Sequence, residues 1–524
     1  MTPRVLVTET LARSGLELLR KACDVTVRLN PSSDELAQII GDYQGLIVRS
    51  STQVTEAVLA AGSQLVVVGR AGTGVDNIDL EAATRHGIIV VNAPTGNTVA
   101  VAEHTMALML ALARHVCDAN VGMHAGRWDK KRLMGSELRG KTLGLVGLGR
   151  VGAAVAARAR AFDMQVIAYD PFVSPERAQQ LDVQLVGLEQ LLSQADYVSL
   201  HAPLTERTQG MIGARELALM KPSAYLVNCA RGDLLNEDAL AQALQAGTVA
   251  GAALDVFTQE PDVNPILRAC PHCLLSPHLG ASTEEAQTGA AEEVVQQVVD
   301  VLEGRSARYP VNIAALPPEE AAFLAPYLDL ARRMGRFYAQ FAENHLSRVE
   351  VTYAGEVATH DLSLLTAAAL AGVLSEVDEP VNLVNAPLIA RERGVVVNEV
   401  RTSETLDFAD LITLRVCAAG GEHLLSGTVM RGKPHILRID DYWFDFAPVG
   451  QLLVSEHIEQ PGIIGNMGML LGEAGVNISF VQVGRQARGG YGMMVLGVDD
   501  PLSRETLDRI KTLPSVRAIW LIRL

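Results

Sequence analysis

Short apolar runs rich in β-branched residues alternate with helix-like segments over the first 98 residues. The runs, in chain order, are RVLVTE, GLIVRS, LVVVGR and GIIVVNAP. This alternation is typical of a parallel sheet covered by helices. We therefore predict one α/β unit in this part of the chain.

A second series of apolar runs lies between Thr142 and Ser276. Its members are TLGLVG, MQVIAYD, ADYVSLHAP, AYLVNCARG, VAGAALDVF and CLLSPH. Six short strands in sequence favour a doubly wound sheet. The apolar stretch from Val99 contains Glu103, His104 and Arg114, and these polar residues predict a buried helix rather than a membrane span.

The remaining chain divides at a group of prolines. In residues 283–305, Val and Leu recur with the spacing of a helix, so this segment predicts a helix. The prolines Pro310, Pro317 and Pro318 then predict a break between regions. Residues 319–448 predict a further α/β region without a recognisable catalytic motif. Residues 451–524 alternate as strand, helix, strand, strand, helix and strand, which is the ferredoxin-like βαββαβ order.

Composition narrows the possible partners. A chain of 524 residues predicts several domains, and its net charge of −16 disfavours binding to nucleic acid or to an anionic membrane. The N-terminus lacks the pattern of a secretory signal, so we expect a cytoplasmic location. Six cysteines do not predict a disulfide framework, and we interpret the CPHC segment as two ordinary thiols and expect no metal.

A glycine motif follows the first strand of the second series. Gly147, Gly149 and Gly152 have the spacing G-x-G-x-x-G, and Asp170 ends the next strand. In dinucleotide sites these glycines shape the turn, admit the diphosphate and let the helix pack, while the acidic residue binds the adenosine ribose. The motif predicts NAD rather than NADP. The alternative is that Asp170 is a turn residue before Pro171.

Three chemically suitable side chains follow later strands. Oxidation of a hydroxyl carbon by hydride transfer needs a base for the hydroxyl proton and a cation for an acidic substrate. Arg231, Glu260 and His278 each follow a predicted strand, where they would face the nicotinamide. Taken singly, each has a structural alternative, namely a solvated loop charge or a structural histidine.

With these residues in this order, the chain resembles the NAD-dependent D-2-hydroxyacid dehydrogenase family. The segments GRAGTGVDNID, NAPTGNTVAVAEHTMALML and GSELRGKTLGLVGLGRVG, together with the C-terminal tail, resemble those long members that oxidise 3-phospho-D-glycerate in L-serine biosynthesis. Other possibilities are a dehydrogenase for another 2-hydroxy acid, such as glyoxylate or D-lactate, and a redox-sensing binding protein on the same fold.

The resemblance implies roles for the candidate residues. His278 would exchange the C2 hydroxyl proton, Glu260 would hydrogen-bond the imidazole, and Arg231 would bind the substrate carboxylate. Asp255 would contact the nicotinamide carboxamide. The implied cofactor-binding residues are Gly147, Gly149, Arg150, Val151, Gly152, Asp170, His201, Pro203, Thr205, Cys229, Ala230, Arg231, Asp255 and His278. The implied substrate-binding residues are Arg49, Arg70, Gly72, Asn97 and Lys130.

The resemblance also implies a domain organisation and an effector. Residues 1–98 and 284–308 would form a flavodoxin-like substrate domain, 99–283 a Rossmann-type NAD domain, 315–448 an intervening domain and 449–524 an ACT-type regulatory domain. L-Serine would bind between subunits of a homo-oligomer, a dimer or a tetramer. The implied effector residues are His457, Glu459, Gly462, Ile463 and Asn477.

Overall fold

The computed structural model describes residues 2–342, 346–377 and 380–524, and its first sheet has five parallel strands. These are β1 (Arg4–Val7), β2 (Asp24–Val27), β3 (Gly45–Val48), β4 (Val67–Arg70) and β5 (Ile89–Asn92), with helices α1 (Arg13–Ala22), α2 (Ser33–Ile39), α3 (Glu56–Ala61) and α4 (Leu80–Arg85). The order β2-β1-β3-β4-β5 is flavodoxin-like. The sequence pattern did not reveal β2, because this edge strand is largely exposed and lacks an apolar run.

The second sheet has seven parallel strands. They are β6 (Thr142–Val146), β7 (Gln165–Tyr169), β8 (Gln184–Leu185), β9 (Tyr197–Leu200), β10 (Tyr225–Asn228), β11 (Gly251–Leu254) and β12 (Cys273–Leu275). The helices are α5 (Thr98–Arg114), α6 (Val116–His124), α7 (Arg150–Ala161), α8 (Pro175–Gln180), α9 (Leu188–Gln194), α10 (Ala214–Leu219), α11 (Glu237–Ala246) and α12 (Pro265–Ala269). The strand order reverses between β6 and β9, the position where doubly wound sheets bind ligands.

The next helix, α13 (Glu284–Leu302), follows the second sheet in the chain but packs against the first. Small residues make this contact possible. A Cβ atom on Gly69 would lie 2.7 Å from a methyl group of Val298, and one on Gly15 would lie 2.8 Å from the Cβ of Ala291. The chain thus returns to its first sheet before it continues.

A mixed sheet follows, flanked by α14 (Pro318–Phe341), α15 (Ser363–Val373) and α16 (Ala386–Glu392). Its strands are β13 (Leu346–Gly355), β14 (Val396–Thr402), β15 (Asp410–Ala418), β16 (Gly421–Met430), β17 (Lys433–Ile439) and β18 (Tyr442–Phe446). The order is β14-β13-β15-β16-β17-β18, and all neighbouring pairs are antiparallel except β13 and β14. This region therefore combines helices with a mainly antiparallel sheet.

The C-terminal residues form the predicted βαββαβ unit. Its elements are β19 (Gln451–Ile458), α17 (Ile463–Glu473), β20 (Ile478–Arg485), β21 (Tyr491–Val498), α18 (Arg504–Lys511) and β22 (Val516–Arg523), with strand order β20-β21-β19-β22. Buried residues of β19, such as Leu452 and Val454, join one apolar core with Phe337 of α14. The last two regions therefore share a core.

No single helix in the described ranges is both long and apolar enough to cross a membrane. Helices α5 and α6 reach that length and composition only as a pair, and they are bent by 64° with respect to each other.

Candidate active site

The glycine loop between β6 and α7 is shaped by the close approach of its own backbone. Gly147 has φ of 99°, a left-handed conformation that favours glycine. A Cβ atom on Gly152 would lie 2.3 Å from the Gly147 carbonyl oxygen, whereas one on Gly149 would meet no atom within 4 Å. The loop therefore has no room for a side chain at Gly152 but has open space at Gly149. Because Gly149 lies at the N-terminus of α7, this open space suits a cofactor diphosphate.

Arg150 and Val151 form the first turn of α7. The Arg150 guanidinium carbon lies 5.3 Å from the ring centroid of Tyr309, in the segment that leaves α13. Stacking uses the face of a guanidinium and leaves its in-plane N–H donors available. Arg150 is therefore available to an anion at the helix N-terminus.

Asp170 follows β7 and holds the glycine loop in place. Its Oδ2 accepts a hydrogen bond from the Leu148 N–H at 2.8 Å, and its Oδ1 accepts one from the Phe172 N–H at 2.9 Å. The carboxylate consequently lies beside the glycine loop, where an acidic residue would bind the adenosine ribose in a dinucleotide complex.

The other cofactor candidates follow the carboxyl ends of neighbouring strands. His201, Pro203 and Thr205 follow β9, and Cys229 and Ala230 follow β10. Burial lowers the pKa of His201 to about 4 and raises the pKa of the Cys229 thiol to about 12, so both are neutral near pH 7. They can line a cleft without adding charge.

His278 and Glu260 form a close pair. The imidazole Nδ1 lies 2.8 Å from Glu260 Oε2, and the other carboxylate oxygen accepts the Phe257 N–H at 3.1 Å. A carboxylate at Nδ1 selects the tautomer in which Nδ1 donates and Nε2 faces away. Among the described residues Nε2 has no hydrogen-bond partner, so it is free to exchange a proton with a ligand.

Asp255 supports the loop that carries His278. Its side chain is 1% exposed and accepts hydrogen bonds from the Ser276 hydroxyl at 2.6 Å and from the N–H groups of Leu279 and Gly280, both at 2.8 Å. This loop needs support, because His278 itself has φ of 53°. The expected contact of Asp255 with a nicotinamide stays a prediction.

Arg231 joins the two sheets across a cleft. Its Nε donates to Asp76 Oδ2 at 3.0 Å, although Asp76 follows β4 of the first sheet and Arg231 follows β10 of the second. Arg70, at the end of β4, lies nearby, and burial together with Arg231 lowers the pKa of Arg70 to about 10. Its buried Nε has no hydrogen-bond partner within the described ranges. Two cations therefore converge here.

A small cavity of about 30 Å³ opens next to the end of β4, near Arg70. Arg49, Gly72 and Asn97 line it, together with Gln287 of α13. Gly72 lies against Arg70, since a Cβ atom there would be within 2.2 Å of Arg70 Nη1. The described residues that line the cavity do not include Lys130, which lies between α6 and β6.

Sequence reasoning missed three supports of this site. Glu9 follows β1, while Asp76 and Asn77 follow β4, so all three lie at the carboxyl edge of the first sheet. The signal that selected Arg231 and His278, a polar side chain directly after a predicted strand, could have found Glu9.

Comparison with known proteins identifies the chain's relatives. Residues 106–280 match the model of the D-isomer specific 2-hydroxyacid dehydrogenase NAD binding domain, and residues 323–440 match the D-3-phosphoglycerate dehydrogenase intervening domain. A D-3-phosphoglycerate dehydrogenase of Synechocystis is 43% identical over 99% of this chain and 95% of its own length. The corresponding enzyme of Methanocaldococcus jannaschii is 42% identical over 99% of this chain and 100% of its own. The chain belongs to the D-3-phosphoglycerate dehydrogenase family.

Solved structures resemble about three fifths of this family member. The TT0316 protein of Thermus thermophilus is 39% identical and covers 59% of this chain and 99% of its own, with a TM-score of 0.55. A glyoxylate reductase of Paecilomyces thermophila is 30% identical and covers 61% of this chain and 99% of its own, with a TM-score of 0.56. The protein is an NAD-dependent oxidoreductase, and the geometry of its glycine loop fits that cofactor.

The five effector candidates do not meet within one copy of this family member. His457 pairs with Gly492, whereas Asn477 precedes Ile478, which pairs with Val498 opposite Gln451. Gln451 and His457 are six positions apart along β19, which corresponds to about 20 Å at the rise of a strand. Gly462 begins α17 at φ of 96°, directly before Ile463.

Two of these candidates already have partners in the chain. Glu459 pairs with Arg485 and accepts the Gly489 N–H at 2.6 Å, and Asn477 Nδ2 donates to Asp499 at 2.5 Å. His457 differs, because it is fully buried and neither of its ring nitrogens has a hydrogen-bond partner among the described residues.

The six cysteines are free thiols, and Cys270 is buried. Burial and the neighbouring Cys270 raise the pKa of Cys273 to about 12, so this thiol stays protonated near pH 7 and does not act as a metal-binding thiolate. No group of three potential metal ligands occurs in the ranges that the structure describes.

Proposed function

We propose that this protein oxidises 3-phospho-D-glycerate to 3-phosphohydroxypyruvate with NAD, the first step of L-serine biosynthesis. The observation that carries the proposal is the contact of Arg231 with Asp76. It joins the end of β10 to the edge of the first sheet at which Arg49 and Arg70 lie. His278 follows β12, so it lies at the same carboxyl edge of the second sheet as Arg231. A substrate between them would meet an acid–base group and cations.

Each residue has a role in this reaction. His278 Nε2 accepts the proton of the C2 hydroxyl, and Glu260 holds the ring through Nδ1. Arg231 binds the substrate carboxylate with its planar donors. NAD, when bound, supplies the acceptor for the C2 hydride. Arg70 and Arg49 bind the phosphate, since an anionic substrate of a chain with net charge −16 needs local cations.

The substrate is tested by NADH production from purified protein with 3-phospho-D-glycerate, D-lactate or D-glycerate. We expect the phosphorylated substrate to have the highest kcat/KM, because only it engages Arg49 and Arg70. Equal or better turnover of D-lactate would assign another 2-hydroxy acid. Binding of NADH without turnover of any of these acids would favour a redox-sensing protein.

We infer that the C-terminal unit binds L-serine between two copies of the chain in a homo-oligomer. The separation of His457 from Asn477 supports this arrangement, since only a second copy can complete a site that contains both. The unpartnered nitrogens of His457 favour a polar ligand there, because buried polar groups are normally hydrogen-bonded. A cytoplasmic location stays a prediction.

A further inference from the structure

A buried carboxylate holds the loop that presents Arg49. Glu9 follows β1 and is only 8% exposed. Its Oε1 accepts the N–H groups of Arg49 at 2.8 Å and Thr52 at 3.0 Å, and its Oε2 accepts that of Ser51 at 3.2 Å. Three of the four N–H groups in residues 49–52 thus converge on one side chain.

The carbonyl groups of the same loop are held by a different residue. Asn77 Nδ2 donates to the carbonyl oxygens of Arg49 at 2.9 Å and Thr52 at 2.6 Å. Asn77 is itself 9% exposed, and its own carbonyl oxygen accepts the Val54 N–H at 2.8 Å. The loop is therefore anchored through donors on one side and acceptors on the other.

The Glu9 carboxylate is ionised in this setting. Burial alone would raise the pKa of Glu9, but the backbone N–H groups of Thr52, Arg49 and Ser51 outweigh burial and hold it below its ordinary value. An anion therefore stands beside a site proposed to bind phosphate. Its charge by itself opposes phosphate binding, so a favourable effect of Glu9 must come from geometry.

We propose that Glu9, together with Asn77, is a positioning residue for recognition of the substrate phosphate. The two side chains hold residues 49–52 so that Arg49 faces the cavity that it shares with Asn97 and Gln287. Arg49 Nη1 also donates to the Thr10 carbonyl at 3.2 Å, next to Glu9 in the chain. The inference rests on the proposed function, because it presumes that Arg49 meets a phosphate.

The two anchors allow charge and geometry to be separated. Glu9→Gln removes a negative charge and one acceptor oxygen, whereas Asn77→Ala removes two donated hydrogen bonds without changing charge. Glu17→Gln is a matched control, because Glu17 is an exposed partner of Arg13 on α1. KM and kcat are measured for 3-phospho-D-glycerate and D-glycerate, and calorimetry measures binding of 3-phospho-D-glycerate to the NAD-free protein.

We expect both loop variants to raise KM for 3-phospho-D-glycerate and its calorimetric Kd about tenfold, the effect of losing one to two hydrogen bonds to the loop. We expect kcat and the KM for D-glycerate to change less than about threefold, because the residues around C2 stay in place. Glu17→Gln should match the wild-type protein.

Unchanged or tighter phosphate binding in Glu9→Gln would overturn the inference, since charge would then outweigh positioning. An equal loss for both substrates would also overturn it, because the effect would be general destabilisation. Asn77→Ala alone decides if Glu9→Gln does not fold. Wild-type protein that does not prefer 3-phospho-D-glycerate to D-glycerate would refute the proposed function, whereas wild-type preference that both variants retain would refute this inference alone.

Discussion

Replacing Glu260 with Gln should slow the reaction by acting on His278. The substitution keeps the side-chain length and an acceptor for the Phe257 N–H, but it replaces the charged partner of the imidazole at 2.8 Å. A hydrogen bond to a charged group contributes about 1.5–3 kcal/mol, which corresponds to about a 10- to 150-fold change in rate. The side chains of His278 and Glu260 are 49% and 37% exposed, so solvent screens their interaction. We therefore expect the lower end of this range, a decrease of about 10- to 30-fold in kcat.

A double-mutant cycle distinguishes this role from independent effects. His278→Asn should lower kcat by about 10²- to 10⁴-fold, the usual contribution of a general acid–base group. If Glu260 acts only through His278, the double variant should be as slow as His278→Asn within about threefold. Stopped-flow NADH formation gives the rates, and quenching of protein fluorescence should show unchanged NADH affinity in all variants.

Two results would refute this reasoning. One is a Glu260→Gln variant whose kcat lies within twofold of the wild-type value, which would show that the contact of Glu260 with His278 does not matter for proton transfer. The other is a double variant slower than His278→Asn by the full factor of Glu260→Gln. That additivity would place Glu260 in a separate step.

Two further predictions concern the cofactor and the effector. Asp170→Ala should weaken NAD binding about 10- to 100-fold and reduce the preference for NAD over NADP, because it removes a charged acceptor beside the glycine loop; unchanged calorimetric affinities for both cofactors would make Asp170 a turn residue only. L-Serine should inhibit the full-length protein with a coupling of about 1–3 kcal/mol, and Asn477→Ala should weaken this inhibition; serine-insensitive activity together with no calorimetric serine binding would refute the effector proposal.

Local pattern was enough to predict most strands and the cofactor loop. Buried parallel strands read as apolar runs because both of their faces are covered, and the glycine spacing of Gly147, Gly149 and Gly152 reflects contacts within one short turn. The βαββαβ order of the last unit was visible because its antiparallel strands also have apolar or alternating patterns. The pattern failed at β2 and β8, which are short, partly exposed edge strands.

Tertiary structure alone decided which distant residues meet. The return of α13 to the first sheet depends on the absence of side chains at Gly15 and Gly69, and no local period encodes that contact. The pairing of Arg231 with Asp76 joins residues that are 155 positions apart in the chain. Glu9 accepts hydrogen bonds from the loop of residues 49–52, which lies 40 or more positions away. Such contacts depend on the packing of whole sheets, because parallel strands bring their carboxyl ends to one edge whatever their separation in the chain.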